Sequence, residues 1–371
     1  MSFSKEDTQK IKGIAIIMMF FHHLFLAPNR YAGKTISFTP FSEHTINTAS
    51  LSMKLCVAIF VFLSAYGLTI SYKRVCDKFT YTPEQLQRLI LKRYIKMMSG
   101  FFFVFLCLQV YSLAMGFEWY THVYGTGSLS VLYACIDFLG LAQLFHTPTF
   151  IATFWYMTFA QILIFIFPLL LSIYRKFSSS VLVFLGILFS ILFPVTIADA
   201  SKPNTFAFLP VYIVVVCLGI VSADLHFLER IRSWNPINAF PFLGKILKFL
   251  CTLFIILVFV YFRYKTRTTA LLPIWEALLS LLIIEFCYEF ILWIPIIKTI
   301  LSILGKYSMD MFLIHNFIRI AWYYDFTYSF HHVFLITIVL LGISLVVSVL
   351  IELLKALLHY NQLIQKILAK V

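Results

Sequence analysis

The stretch Gln9–Leu24, QKIKGIAIIMMFFHHL, decides how the chain is read. It is an apolar run of helical length with a cation, Lys12, at its start and two imidazoles, His22 and His23, well inside it. Lys12 and His23 are eleven residues apart, and eleven steps of about 100° return to within about 20° of the starting face, with a rise of about 16 Å. One side of a single helix therefore carries a cation at a membrane edge and a titratable ring in the hydrocarbon. Such a ring is costly to place in lipid, so His23 is by default a candidate functional residue. His22, about 100° around the helix, reads as its structural or tuning neighbour.

Composition agrees with a membrane setting. With 61% hydrophobic and 12% charged residues over 371 positions, the chain is no soluble globular domain but a polytopic, all-α membrane protein. The net charge of +13 would suggest nucleic acid in a soluble protein, but here most Lys and Arg lie between hydrophobic runs, where they set topology. The seven cysteines are scattered, without a CxxC pair or a neighbouring His at ligand spacing, so no disulfide, metal or permanently bound cofactor is expected. The first run leads into LAPNRYAG, not a small-residue cleavage site, and is expected to stay as a membrane helix.

Runs of about 20 apolar residues bounded by polar or Pro/Gly turns place ten spans near 11–27, 53–73, 97–115, 150–174, 181–198, 206–225, 245–262, 270–293, 299–324 and 331–357. The segment 129–146 is apolar but short, contains Asp137 and Gln143, and reads as re-entrant or interfacial. With both termini cytoplasmic, most basic residues fall inside; Arg30, Lys34, Lys54, Lys202, Arg263, Lys265, Arg267 and Arg319 remain outside. The cluster RYKTR, with Arg263, Lys265 and Arg267, is the exception this topology does not explain. No internal repeat or separate soluble domain is visible, so residues 1–371 read as one integral membrane domain.

The loop before the third span, TYTPEQLQRLILKRYIKMM, should start a helix: Thr82 suits the N-cap, Pro83 the first helical position, and Gln85 the far side of a capping box. Arg88, Lys92 and Lys96 then recur every four residues, and Arg93 and Lys96 form an i, i+3 pair. A cationic stripe under the membrane is either a topology signal that also attracts anionic lipid or a phosphate site. In the second span Ser64 and Gly67 interrupt an apolar run, and in the ninth Ser308 and His315 share a helix face with Asp310 at membrane depth. A Ser or Gly in such a helix serves packing more often than catalysis, whereas an intramembrane His is functional about as often as structural. The eighth span adds Glu276, Glu285 and Glu289; the latter two share a face and are expected to pair with basic side chains, or else to orient a histidine, while Glu276, nearer the outer end, could face an acceptor. Trp119, Trp155 and Tyr156 read as interfacial belt residues.

Taken together, these stretches resemble acyltransferase family 3, integral membrane proteins that O-acylate, often O-acetylate, cell-surface glycans. The family's basic residue, ten intervening positions and His are matched by Lys12 and His23, and its RxxR element by Arg93-Tyr-Ile-Lys96. Its FFxLSGF-like second span is matched from Phe60 through Ser64 to Gly67, its late GxxSxxxYLxH signature by Gly305, Ser308, Phe312, Leu313 and His315, and its Trp opening the fourth span by Trp155. The resemblance covers the whole chain. Lys stands for Arg at positions 12 and 96, which keeps charge but gives up bidentate phosphate geometry.

The resemblance implies an acyl-CoA donor, acetyl-CoA in the common case, and a surface polysaccharide or lipid-linked glycan as acceptor, at the cell membrane. Lys12, Arg93 and Lys96 are then placed to hold the CoA phosphates at the cytoplasmic face. The pantetheine arm reaches on the order of 15 Å, close to the Lys12-to-His23 rise, and would bring the thioester to His23. There the imidazole acts as general base on the acceptor hydroxyl or takes the acyl group as nucleophile. His315, Ser308, Ser64 and Glu276 are the supporting candidates. The acceptor is acylated directly, or the group passes to a separate extracellular transferase. A transporter or flippase of a lipid-linked sugar is the alternative, but the paired halves with matching broken helices common in such folds are not seen; in a polysaccharide polymerase the chemistry should face outward, whereas here the cation and the histidine are joined from the inner face.

Overall fold

A computed structural model describes residues 3–193 and 205–371; Lys202 and the end of the fifth predicted span lie outside the described residues. Helices α1 (Lys5–Phe25), α2 (Glu43–Ser52) and α3 (Leu55–Val75) open the chain. At the start of α1 the Ser4 hydroxyl accepts from the Asp7 N–H while the Asp7 carboxylate accepts from the Ser4 N–H, so two otherwise orphaned amides are satisfied. Helix α4 (Pro83–Ala114) begins as its sequence dictates, with Thr82 capping, Pro83 at the first position and Gln85 closing the box. It runs for 32 residues, so the cationic stripe and the third predicted span are one rod.

Residues 129–146 hold no helix long enough to cross a membrane. Helices α5 (Glu118–Tyr124) and α6 (Ser130–Phe138) are short, and buried Asp137 turns the chain back by accepting from the Tyr124 hydroxyl (2.6 Å), the Thr149 hydroxyl (3.0 Å) and the Phe150 N–H (2.5 Å). The chain continues through α7 (Trp155–Lys176), α8 (Ser179–Leu192), α9 (Thr205–Asp224), α10 (Phe227–Ser233), α11 (Pro241–Lys265) and α12 (Leu272–Phe286). It closes with α13 (Pro295–Lys306), α14 (Ser308–Asn316), α15 (Tyr324–Tyr328), α16 (Val333–Leu357) and α17 (Tyr360–Lys370).

All-helical architecture therefore holds among the described residues, where a lone bridge between Ser37 and His332 is the only strand-like pairing. By length and composition five helices can cross a membrane, or six if the bent pair 208–224 and 227–233 is one span. The lower number has physical causes. Lys10, Lys12, His22 and His23 dilute α1, α12 passes into a π-helical turn at Cys287–Ile291, and the ninth predicted span is not one helix but breaks at Tyr307 and widens again at Phe317–Trp322. Helix α11, by contrast, has a mean hydropathy of 2.4 with only 11% of its apolar window buried, as expected of a helix bathed in lipid.

Two clusters of buried apolar side chains form the interior: one joins α1, α3, α9 and α12, the other joins α4, α14 and α16, and α7 contributes to both. The tightest approach is between α1 and α13. A Cβ at Gly13 would lie 2.2 Å from the Leu301 carbonyl oxygen, and one at Gly305 would lie 1.7 Å from that of Gln9. Only glycine permits backbones this close, and the Gln9 side chain adds a hydrogen bond to the Ser302 carbonyl at 2.8 Å. Buried ion pairs fix other helices: Lys355 of α16 with Asp310 of α14 at 3.1 Å, and α11 with α12 through Arg263–Glu276 at 2.6 Å and with the π-helical turn that follows α12 through Lys248–Glu289 at 2.5 Å.

Gly305→Ala should force α13 away from α1 and lower stability by about 1–3 kcal/mol, as overpacking does. Thermal denaturation of the detergent-solubilised protein checks this, with Gly342→Ala, which has nothing within 4 Å of its Cβ position, as the neutral control.

Candidate active site

Five helices supply the walls of a cavity of about 320 Å³: α1, α3, α4, α7 and α14. From α1 it takes Lys12, Met19, His22 and His23, so it follows the helix from the cation to the imidazoles. Arg93 and Lys96 reach it from α4, Ser64 from α3 and Ser308 from α14. Residues from four separate stretches of sequence thus meet around one space. Arg93 is half-buried and Lys96 exposed, whereas Arg88 and Lys92 stay out of the cavity; Arg88 pairs with Glu84 at 3.2 Å.

The two neighbouring histidines are held differently. His22 lies 2.8 Å through Nδ1 from the Ser50 carbonyl; a carbonyl only accepts, so Nδ1 carries the proton. The Ser50 hydroxyl in turn donates to the carbonyls of Phe21 and His22, tying α2 to the end of α1. His23 Nδ1, in contrast, is buried with no protein partner. The His23 ring stands 5.0 Å, centre to centre, from that of His315, which is fully buried behind it and does not line the cavity. His315 Nδ1–H donates to the Phe312 carbonyl at 2.7 Å, which leaves its Nε2 unpartnered as an acceptor. Behind His315 the buried Arg319 donates through Nε to Asn316 at 2.8 Å.

The break between α13 and α14 shapes the other wall. Because the helix stops at Tyr307, the Gly305 carbonyl is free to accept from the Ser308 hydroxyl at 3.0 Å. Ser308 therefore faces the cavity with its proton already engaged. Asp310, two residues on and so about 200° around the helix, points away into its ion pair with Lys355.

Glu276 is elsewhere. It lines a second, smaller cavity with Arg263, whose Nε and Nη2 both donate to Glu276 Oε1 at 2.9 and 2.6 Å. Part of the RYKTR cluster is thus an interior ion-pair partner, which sequence could not reveal because the carboxylate belongs to another helix. Lys265 is exposed and lies over the Tyr261 ring. Sequence reasoning also missed Lys54, which lines both cavities, and it read Trp155 and Tyr156 as belt residues although both form the wall of the larger cavity. Trp155 stacks on Phe208 at 4.0 Å. Aromatic rings at a helix start suit a lipid interface and a cavity wall equally, so only the family match at Trp155 pointed to a role beyond the belt, and nothing did for Tyr156. Among the described residues no group of three or more His, Cys, Asp and Glu could hold a metal.

These features define an all-helical multi-pass membrane protein with basic and imidazole side chains around an interior cavity. A family model described as an acyltransferase domain, of acyltransferase family 3, matches residues 11–353, nearly the whole chain, and the protein belongs to that family. No match was found among curated proteins or among solved structures.

Glu276→Ala should leave the Arg263 guanidinium buried without its carboxylate and cost about 3–5 kcal/mol, whereas Arg263→Met combined with Glu276→Leu should recover most of the loss. Thermal denaturation of both variants checks whether this pair is structural.

Proposed function

We propose that the protein transfers an acyl group, acetyl in the simplest case, from cytoplasmic acyl-CoA to a hydroxyl of a cell-surface or lipid-linked glycan. The observation that carries this reading is the single cavity with Lys12, Arg93 and Lys96 at one end and His23 at the other, the ends being about 16 Å apart along α1. A CoA thioester has matching chemistry: phosphates for the cations and an arm on the order of 15 Å for the distance. Ten crossings with both termini in the cytoplasm, at the cell membrane, would put the basic end inside and His23 beyond the bilayer midplane.

In the transfer the acceptor oxygen attacks the thioester carbonyl carbon, the C–O bond forms, the C–S bond breaks, and the hydroxyl proton ends on the CoA sulfur. His23 moves that proton as general base and then acid, or carries the acyl group between two such steps. Its unpartnered Nδ1 and the lone pair on the neighbouring His315 Nε2 support a role in proton movement. His315 is then a positioning residue and Ser64 and Ser308 are wall residues of the donor tunnel. The apolar remainder of the wall keeps water from the thioester.

His23→Ala should lower kcat for acetyl transfer by roughly 10²–10⁴-fold, the span of general acid–base catalysis, without loss of membrane insertion. Near-normal turnover would refute the assignment. Arg93→Gln with Lys96→Gln should raise KM for acetyl-CoA more than it lowers kcat, since these residues hold a part of the donor remote from the reacting carbon. Sidedness is read in oriented vesicles: acetyl-CoA on the cytoplasmic face should acylate glycan on the opposite face, with CoA released on the donor side. A requirement for donor and glycan on the same face would remove the transmembrane relay.

A further inference from the structure

The second cavity, of about 120 Å³, begins where the first one ends, since His22 and Lys54 line both. The Trp155–Phe208 stack continues that partition, with Trp155 on one side and Phe208 on the other. Its charged lining is Lys54, Arg263, Arg267 and Glu276, three cations against one carboxylate. Glu276 is committed to Arg263 through Oε1 alone, and its Oε2 is buried without a partner. Arg267 has no carboxylate partner among the described residues: its Nη1 donates to the Tyr264 carbonyl at 2.7 Å, and its guanidinium lies 4.4 Å from the centre of the Tyr264 ring. Lys54 likewise makes no ion pair among the described residues, although it is only half exposed or less.

A cavity against His22 with two cations that make no ion pair among the described residues is arranged for an anion. We propose that it is the acceptor subsite, and that it takes a glycan bearing a carboxylate or phosphodiester close to the hydroxyl that is acylated. The volume corresponds to about four waters, enough for the charged substituent and not for a row of sugar rings, which would remain at the mouth. Arg267, held over the Tyr264 ring, presents its remaining N–H groups to the anion, Lys54 adds a point charge next to His22, and Glu276 Oε2 accepts from a sugar hydroxyl. The anion thus sets which hydroxyl lies beside the partition and so within reach of His23. This assignment rests on the reading of the larger cavity as the donor site.

The test is equilibrium binding without donor, to full-length protein in phosphatidylcholine nanodiscs, of three probes: a hexuronic acid oligosaccharide, a glycerol phosphate oligomer and a neutral dextran oligosaccharide. One or both anionic probes should bind more tightly than the neutral one. Arg267→Gln should weaken that binding about tenfold or more, as loss of a charge-assisted contact does, and Arg267→Lys should restore part of it. Equal binding of neutral and anionic probes, or anionic binding unaffected by Arg267→Gln, overturns the proposal. So does loss of anionic glycan binding in phosphatidylglycerol nanodiscs, which would make the cavity a lipid headgroup site. Because no donor is present, Arg267-dependent binding alongside absent acetyl transfer would uphold the anion site and reject the transferase chemistry, whereas acetyl transfer to neutral glycans alone would do the reverse.

Discussion

Everything around the larger cavity depends on how closely α1 lies against α13. Water drives apolar faces together in a soluble protein, but lipid tails are as apolar as leucine, so helix association in a bilayer relies on contact distance and polar links. Gly13 and Gly305 supply the first and the Gln9–Ser302 hydrogen bond the second. Since α1 carries Lys12 and His23, and α13 leads directly into Ser308 and His315, this one interface sets the position of the imidazole relative to the ring behind it.

The break at Tyr307 complements that approach. A continuous helix would carry the Gly305 carbonyl in its own ladder; the interruption frees it for Ser308 and starts α14 afresh, aimed so that His315 reaches His23. Gly305 thus has a double consequence, close packing on one side and an available carbonyl on the other. A substitution there perturbs the wall of the cavity even though the residue does not line it.

What was legible in the sequence was local or periodic. The Thr82–Pro83–Gln85 start of α4 follows from capping chemistry within four positions, and the Lys12–His23 relation from helix geometry alone; the structure has both. The family could be read from motifs in order along the chain, and it matches over residues 11–353. What was not legible required a partner from another helix. The RYKTR cluster had no role until Glu276 met Arg263, and Asp310 had no explanation until Lys355 of α16 reached it. The division of the ninth predicted span at Tyr307 was read over, because apolar runs flank it on both sides and no proline marks it; its signal in the sequence is the polar stretch GKYSMD from Gly305 to Asp310.

Helix α11 shows what two ionic pins can do for a helix that packing barely grips. Lys248 and Arg263 are fifteen residues apart, roughly four turns, and engage Glu289 and Glu276 at opposite ends of the neighbouring segment. A slip of one residue would turn α11 by about 100° and unpair both together, so intermediate settings have no favourable pairing. Its registration is therefore discrete, like a key with two teeth, and leaves the lipid-facing apolar surface free to vary in shape without changing how the helix is seated.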